Sequence, residues 1–471
     1  MKKIAIIIFL LSSIGVHSQN KPEKLIQDFD FLIEELNLQH QGIYQYAPKN
    51  EVDFKIDSLR KTITSSMNKL EFYGLVRKVT SLTNEGHTSS SLPNWAMVKV
   101  GLSKSFLPLA VKFCDKELII TQNYGTDING LKKGMKLLAI NGENIDDIIE
   151  KLFPLIPTDG FNKTSKYEWI GGINLPLLYK LTYGKTRKYH LSVQEIGSDE
   201  IKNITISSIR YTSYKRKNAK YKYTKPESSE FIFRQINDSI AYLSIPSFGD
   251  DTLDYQTFYK STFKQIDSLN IKHLVLDIQK NGGGTEGNEN LLFSYLTDSV
   301  IQKYRNVTML PKPYLKNKND VDYIFDKWRL EGQFAERGYF TLLSNYYSTL
   351  KYQSPVNDLI YKNALYVLTS GVTYSGGAEF ASLIRMTNRG LFIGEEIGGT
   401  YEGNVSGYSE TIELPNTKII VDIPTVHFQI NVTPKTKGQG ILPDYYVPQK
   451  WSDYLNHKNS KLIFTIKLIT Q

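Results

Sequence analysis

The sequence predicts an α/β protein whose central sheet contains parallel strands. Three short apolar stretches, Ser239–Phe248, Leu274–Ile278 and Ala364–Leu368, are each bounded by turn residues and are typical of buried strands. Helical patterns separate them, at Phe258–Leu269 and after Ser375. Alternation of this kind indicates layered α/β architecture. The 471 residues are 41% hydrophobic and 12% aromatic, which is enough to form a large core.

The first 18 residues have the composition of a secretory signal peptide. A basic start is followed by the apolar run Ile4–Val16 and by a small-residue cleavage pattern at Val16-His17-Ser18. The apolar run is shorter than the about 20 residues needed to span a bilayer. We therefore predict a signal peptide over 1–18 and a secreted or periplasmic protein without stable membrane insertion. An uncleaved anchor is the alternative.

Residues 21–97 are predicted to form a helical N-terminal domain. Apolar residues repeat at helical spacing in three stretches, around Phe29–Leu36, Phe54–Ile63 and Leu75–Leu82. Such stripes indicate a packed core. His87 lies in a loop near the end of this domain.

Residues 100–165 are predicted to form a PDZ-like module. Strand patterns at Leu107–Phe113, Glu117–Thr121 and Lys136–Ile140 are followed by the hairpin signal Asn141-Gly142 and by a helix from Ile145. PDZ modules bind an extended peptide at a sheet edge. A structural β-domain beside the core accounts equally well for the pattern.

Charge and cysteine content exclude several classes of function. The net charge of +9 is spread over many lysines, and the one basic cluster lies in the Tyr- and Lys-rich segment Tyr211–Lys225, predicted to be a solvated loop or edge strand. A nucleic-acid surface there is the less favoured alternative, since no nucleic-acid-binding motif is present. Cys114 is the only cysteine and is expected in the core. No residues have metal-ligand spacing, so neither metal nor cofactor is expected.

The turn at Ser375 is the most informative stretch of the chain. It joins the apolar strand Ala364–Leu368 to a helical pattern and is followed by Gly376 and Gly377. A hydroxyl at the start of a helix lies beside free backbone N–H groups, and the helix dipole favours developing negative charge. An acyl-transfer nucleophile needs these surroundings. Ser375 as a simple helix cap is the alternative.

Four motifs in order resemble the tail-specific (C-terminal processing) serine peptidase family. The first two are the strand-to-glycine turn Asp277–Gly284 and the nucleophile turn Thr373–Glu379. The others are Ile393-Gly394-Glu395 with Gly398-Gly399-Thr400, and Gly440–Asp444.

The resemblance implies a ClpP/crotonase-like core over 185–450. It also implies a serine nucleophile at Ser375. The oxyanion hole would be formed by the N–H groups of Gly376 and of Gly283 or Gly284. The segment 299–360 is predicted to be an insertion that covers the site.

The base is predicted to be a histidine. One branch of the family uses a lysine about 25 residues after the serine, but Gly390–Gly407 contains no lysine. The tricorn-core-like branch uses a histidine from the N-terminal domain, and His87 in Glu85–Thr88 matches its motif position. Neutral imidazole accepts a proton near pH 7. His427 is the competing candidate.

The sequence departs from the family at the acid that would orient the base. Gly86 stands where tricorn-like sites have a serine, and Gln279 replaces an arginine. Glu379 lies one position later than the family glutamate, a rotation of about 100° on a helix. Glu402, on a glycine-rich loop, is therefore predicted to be the orienting acid.

These observations predict an exported serine endopeptidase that cleaves peptides or unfolded polypeptides through an acyl-enzyme. A catalytically inactive peptide-binding protein of the same fold is the first alternative. An acyl-transfer enzyme acting on a small thioester is the second. The sequence leaves the oligomeric state open.

Overall fold

The computed structural model describes residues 22–125, 130–172, 174–220, 229–285, 287–298, 301–309 and 359–471, together with the short strands at 333–334 and 340–341. The predicted signal peptide, 1–18, and most of the predicted insertion, 299–360, lie outside the described residues.

The N-terminal region is helical, as predicted, and packs on a hairpin from the C-terminal half. Its elements are α1 (Pro22–Gln39), α2 (Lys49–Arg60), α3 (Lys69–Ser81), β1 (Ser89–Ser91) and α4 (Asn94–Leu102). The apolar faces of the helices share one core with Ile412, Leu414 and Val421 of the hairpin. The N-terminal region is therefore attached to the distant part of the chain that follows the nucleophile.

A six-stranded antiparallel sheet forms the next layer, in the order β3-β4-β5-β7-β8, with β6 paired to β5 beside this path. The elements of this region are β2 (Lys104–Phe106), β3 (Leu109–Cys114), β4 (Glu117–Asn123), β5 (Lys136–Ile140), β6 (Glu143–Asn144), α5 (Ile145–Leu152), a 3-10 turn (Phe153–Leu155), α6 (Thr164–Ile170), α7 (Asn174–Tyr183), β7 (Lys188–Gln194), β8 (Ile201–Ser207), β9 (Ile209–Arg210) and α8 (Tyr211–Lys220).

Two features of this region differ from the sequence-based expectations. Strand β7 pairs with β5, and β8 pairs with β7, so the residues from 188 to 207 join this sheet, although the core was predicted to begin at 185. The described part of the Tyr- and Lys-rich segment, 211–220, is a helix, α8, rather than a loop or edge strand, because Tyr211 and Tyr214 lie one turn apart and are both buried. Cys114 is buried, as expected. The division into domains stays a prediction.

The remaining elements form the α/β core and the sheet beside it. They are β10 (Ile232–Gln235), β11 (Ile240–Ser244), α9 (Tyr255–Ser268), β12 (His273–Asp277), α10 (Asn288–Ser294), β13 (Tyr304–Met309), β14 (Gln333–Phe334), β15 (Phe340–Thr341), β16 (Ala364–Thr369), α11 (Gly376–Met386), β17 (Leu391–Gly394), β18 (Gly403–Glu413), β19 (Ile420–Ile430), β20 (Tyr445–Tyr446), α12 (Trp451–Leu455) and α13 (Ser460–Thr470).

The core sheet confirms the predicted α/β class. Its order is β10-β11-β12-β16-β17-β20, and the strands from β11 to β20 run parallel. One face is covered by α9, α10 and α11, and α13 contacts the other face. Fully buried side chains such as Phe380 and Leu383 on α11 each stabilise the packing by about 1.5–3 kcal/mol. The sheet thereby fixes the carboxyl ends of β12 and β16, where the two glycine-containing turns begin.

None of the described helices has both the length and the apolar character needed to cross a bilayer.

Candidate active site

The turn that carries Ser375 is held against the glycine loop that follows β12. The hydroxyl of Ser370 donates to the Gln279 carbonyl at 2.6 Å, and the hydroxyl of Thr373 donates to the Ile278 carbonyl at 3.0 Å. These bonds join the ends of two neighbouring parallel strands. They place Ser375 directly in front of helix α11, next to the glycine loop.

Ser375 has a strained backbone and does not cap its helix. Its φ is +51° and its ψ is −126°, a region that side-chain-bearing residues rarely adopt, and its side chain makes no capping hydrogen bond. The helix-cap alternative is therefore not what the structure shows. Strain at a single polar residue in a turn is characteristic of functional sites, because surrounding contacts must maintain it.

We expect Ser375→Gly to be more stable than Ser375→Ala by about 1 kcal/mol, because glycine relieves the left-handed strain that alanine retains. Chemical denaturation of the two variants measures the difference. Ser261, within α9, is the control, and there the order should reverse, with alanine more stable than glycine by about 1 kcal/mol. Equal stability of the two Ser375 variants would show that the backbone is unstrained.

His87 reaches the nucleophile because the strand that follows it pairs with the core hairpin. Residues 89–91 form β1, which pairs antiparallel with β19, with Ser89 opposite Asp422. The Ser89 hydroxyl also donates to the Asp422 carboxylate at 2.9 Å. His87 lies two residues before this anchor, so the pairing brings it next to a serine 288 positions away in the chain.

Ser375, His87 and Glu85 form a hydrogen-bonded row. His87 Nε2 lies 3.2 Å from Ser375 Oγ, and His87 Nδ1 lies 2.8 Å from Glu85 Oε1. A carboxylate only accepts, so Nδ1 carries the proton that it donates to Glu85, and Nε2 presents its lone pair to the serine hydroxyl. This is the tautomer that a general base for Ser375 requires.

Glu85, rather than Glu402, occupies the position of the orienting acid. Glu85 is 1% exposed, and its second oxygen accepts the backbone N–H of Val405 in β18 at 2.6 Å. The prediction of Glu402 is corrected by the geometry. The Glu402 carboxylate accepts the N–H of Gly438 at 3.0 Å, and the described structure gives it no hydrogen bond with His87.

Two backbone N–H groups beside Ser375 have no acceptor among the described residues, those of Gly376 and Gly284. Gly284 N lies 3.6 Å from the point where a Cβ at Gly376 would stand. Gly283, the other predicted donor, already donates its N–H to the Asn281 side chain at 2.9 Å. Gly283 has a different role: a Cβ there would stand 2.7 Å from Ser375 Cβ, so only glycine leaves the space open. Gly376 and Gly284 are thus the available pair of donors.

The other residues singled out in the sequence lie outside this row. Glu379 is buried, and its carboxylate contacts Lys303 Nζ at 2.7 Å and accepts from the Tyr304 hydroxyl at 2.6 Å. His427 is buried in β19 opposite Val405, and the described structure gives it no hydrogen bond with Ser375. His87 is thus the histidine that the fold places at the nucleophile.

Asp159 and Tyr374 complete the surroundings of the row. Asp159 is fully buried and lies beside Glu85, and the ring of Tyr374 lies 5.1 Å from that of His87. Oxygen atoms of Glu85 and Asp159 and a ring nitrogen of His87 lie within 4.8 Å of one another, which is also a cation-site spacing. The proton that His87 Nδ1 donates to Glu85 leaves that nitrogen without the lone pair a metal needs.

Burial is the largest influence on the His87 ring and lowers its pKa below the ordinary value of 6.5. Neutral imidazole is the active form. We therefore expect the acid limb of kcat/KM to have its midpoint below pH 6.5, with activity lost as pH falls through it. A pH profile measured from about 4.5 to 8 tests this. A midpoint above pH 6.5 would mean that nearby negative charge affects the pKa of the His87 ring more than burial does.

The fold and the family are those of a known class of peptidase. Residues 239–447 match the family model of peptidase family S41. Over these residues the chain is a member of peptidase family S41. It is therefore a serine-type peptidase of the tail-specific family, as the sequence motifs predicted.

Solved structures agree with this S41 peptidase over nearly its whole length. Mature CPAF is 14% identical, with 95% of this chain and 96% of that chain covered and a TM-score of 0.62. Mature CPAF complexed with lactacystin is 12% identical, with 95% and 98% covered and a TM-score of 0.64. At such low identity the likeness establishes the fold alone.

The sequence reasoning missed three residues of the S41 peptidase site. Glu85 had a signal, since it lies two positions before His87, but whether its side chain turns back depends on the loop backbone. Tyr374 lies within the nucleophile motif and carried no separate signal. Asp159 lies in Thr158-Asp159-Gly160, which has the composition of an ordinary turn.

Proposed function

We propose that this S41 peptidase is an exported endopeptidase that cleaves peptides or unfolded polypeptides through an acyl-enzyme at Ser375, with His87 as the general base. The observation that carries the proposal is the 3.2 Å approach of His87 Nε2 to Ser375 Oγ, with Glu85 at the opposite ring nitrogen. A histidine base agrees with the tricorn-core-like branch. The basic and apolar N-terminal sequence supports export.

In the proposed reaction, His87 takes the hydroxyl proton as Ser375 Oγ attacks the substrate carbonyl carbon. Glu85 stabilises the imidazolium that forms. The N–H groups of Gly376 and Gly284 stabilise the negative charge on the carbonyl oxygen. His87 then gives the proton to the leaving amine, and a water molecule activated by the same nitrogen hydrolyses the ester.

The deciding experiment compares wild type and Ser375→Ala on an unfolded protein, with fragments identified by mass spectrometry. We expect wild type to release internal fragments and Ser375→Ala to release none. Binding of the unfolded protein without any cleavage by wild type would favour the inactive peptide-binding alternative. Hydrolysis of small thioesters in preference to the polypeptide would favour the acyl-transfer alternative.

The PDZ-like interpretation of the module stays a prediction. Its antiparallel sheet supports a role in presenting an extended peptide, since such sheets accept an added strand at an edge. The loop that carries Asp159 leaves the same region and enters the active site, which links the module to the catalytic row.

A further inference from the structure

A buried carboxyl group stands behind the catalytic row without a role in the mechanism above. Asp159 lies between the 3-10 turn and α6 and is 0% exposed. Its loop is fixed from two sides: the N–H of Gly160 donates to the Asn84 carbonyl at 2.8 Å, and that of Phe161 donates to the Gly438 carbonyl at 2.8 Å. The loop therefore presents Asp159 to the segment that contains Glu85 and His87.

The two oxygens of Asp159 have different surroundings. Oδ1 accepts the N–H of Gly86 at 2.9 Å and the hydroxyl of Tyr374. Oδ2 is buried and has no donor among the described residues. A carboxyl oxygen of Glu85 lies within 4.8 Å of one of Asp159. A buried carboxyl oxygen that accepts no hydrogen bond is satisfied when it carries a proton itself and donates that proton to a nearby acceptor.

Glu85 is the member of the pair that holds the negative charge. It accepts three N–H groups, from the backbone of His87 and Val405 and from His87 Nδ1. Two neighbouring buried carboxylates repel each other, so such a pair retains one proton. Burial and then the charge of Glu85 raise the pKa of Asp159 well above its ordinary value, in agreement with that assignment.

Gly86 is what permits this approach. A Cβ on Gly86 would stand 2.2 Å from the Tyr374 hydroxyl oxygen and 3.4 Å from Asp159 Oδ1. Gly86 occupies the position at which tricorn-like sites have a serine. The Tyr374 hydroxyl and the Asp159 carboxyl thus occupy the space that a side chain at Gly86 would need.

We propose that Asp159 is a positioning residue whose protonated carboxyl donates a hydrogen bond to Glu85, keeping Glu85 ionised and aligned with His87. This inference rests on the proposed function and adds a fourth member to the row. The proton stays on Asp159 throughout the cycle, and only the proton between Ser375 and His87 moves. The titratable groups facing Asp159 are Glu85 and His87, Tyr374 from the nucleophile turn and Tyr46 from the loop after α1.

The test compares Asp159→Asn and Asp159→Ala in the full chain. The amide of asparagine still donates to Glu85, so Asp159→Asn should keep kcat within about threefold of wild type and leave the acid limb of the pH profile in place. Alanine removes the donor, so kcat should fall about ten- to a hundredfold. Here kcat is expressed per active site that can be labelled. The acid limb of Asp159→Ala should move to higher pH, because Glu85 then protonates more readily.

Other outcomes contradict the inference. If Asp159 were ionised, either substitution would remove a negative charge, and both acid limbs would move to lower pH. If the role of Asp159 were only structural, the acid limb of neither variant would move. Any loss of activity would then be proportional to the loss of folded protein. Asp28→Ala is the control for structural loss, since Asp28 is buried in α1 and accepts the N–H groups of Asn416 and Thr417, in the hairpin turn.

Absence of hydrolysis by wild type would overturn the proposed function rather than this inference. The same proteins would then be compared by NMR titration of the 13C-labelled His87 ring, which needs no turnover. The hydrogen bond to Glu85 is supported if the His87 ring titrates in Asp159→Asn as it does in wild type and its titration midpoint is shifted in Asp159→Ala. Shifts in both variants, or in neither, contradict it.

Discussion

Ser375→Ala and His87→Ala are each expected to lower kcat by about 10⁴- to 10⁶-fold, and the double variant is expected to be no slower than the worse of the two. The reason is that the serine hydroxyl and the imidazole act as one unit: without the base the hydroxyl is a weak nucleophile, and without the hydroxyl the base has no proton to take. Single-turnover kinetics on an unfolded polypeptide measure all three rates.

His190→Ala is the control for the histidine variant, because His190 is exposed in β7. In the described structure its ring is hydrogen-bonded to the Thr205 hydroxyl alone. His190→Ala should cleave at the wild-type rate. Additive losses in the double variant, reaching the product of the two single effects, would show that Ser375 and His87 act independently and would contradict the proposed dyad.

Glu85→Gln is expected to lower kcat by about 10³- to 10⁴-fold with a small change in KM. The amide neither stabilises the imidazolium nor fixes the proton on Nδ1, because its N–H₂ group competes for the same ring nitrogen. Glu402→Gln is the matched comparison, since that carboxylate bonds to Gly438 instead of the ring. It should change kcat less than threefold. The reverse order would restore Glu402 as the orienting acid.

Much of the fold and the central pair of the site could be predicted from the sequence. Buried parallel strands are short apolar runs bounded by turns, and the runs before Asn281 and Ser375 had that form. The glycine turns are equally local signals, since their conformation depends on the residues within them. The pairing of His87 with Ser375 followed from motif position, and its cause, the β1–β19 contact, became visible only in the structure.

The rest depends on contacts that no local pattern encodes. Glu85 and Glu402 are both acids on loops near a glycine, and only the backbone path decides which carboxylate meets the imidazole. Asp159 reaches the site because its loop is tied to Asn84 and Gly438, far away in the chain. Strands β7 and β8 show the same limit, because their residues have ordinary strand patterns. Only the pairing of β7 with β5 and of β8 with β7 assigns them to the second sheet.

The most direct test of the account is the site and rate of modification by a fluorophosphonate, followed by peptide mapping. The account predicts one adduct on Ser375 in wild type, none in Ser375→Ala, and modification at least about 100-fold slower in His87→Ala. An adduct on another serine, or equal rates in wild type and His87→Ala, would contradict the claim that His87 activates Ser375.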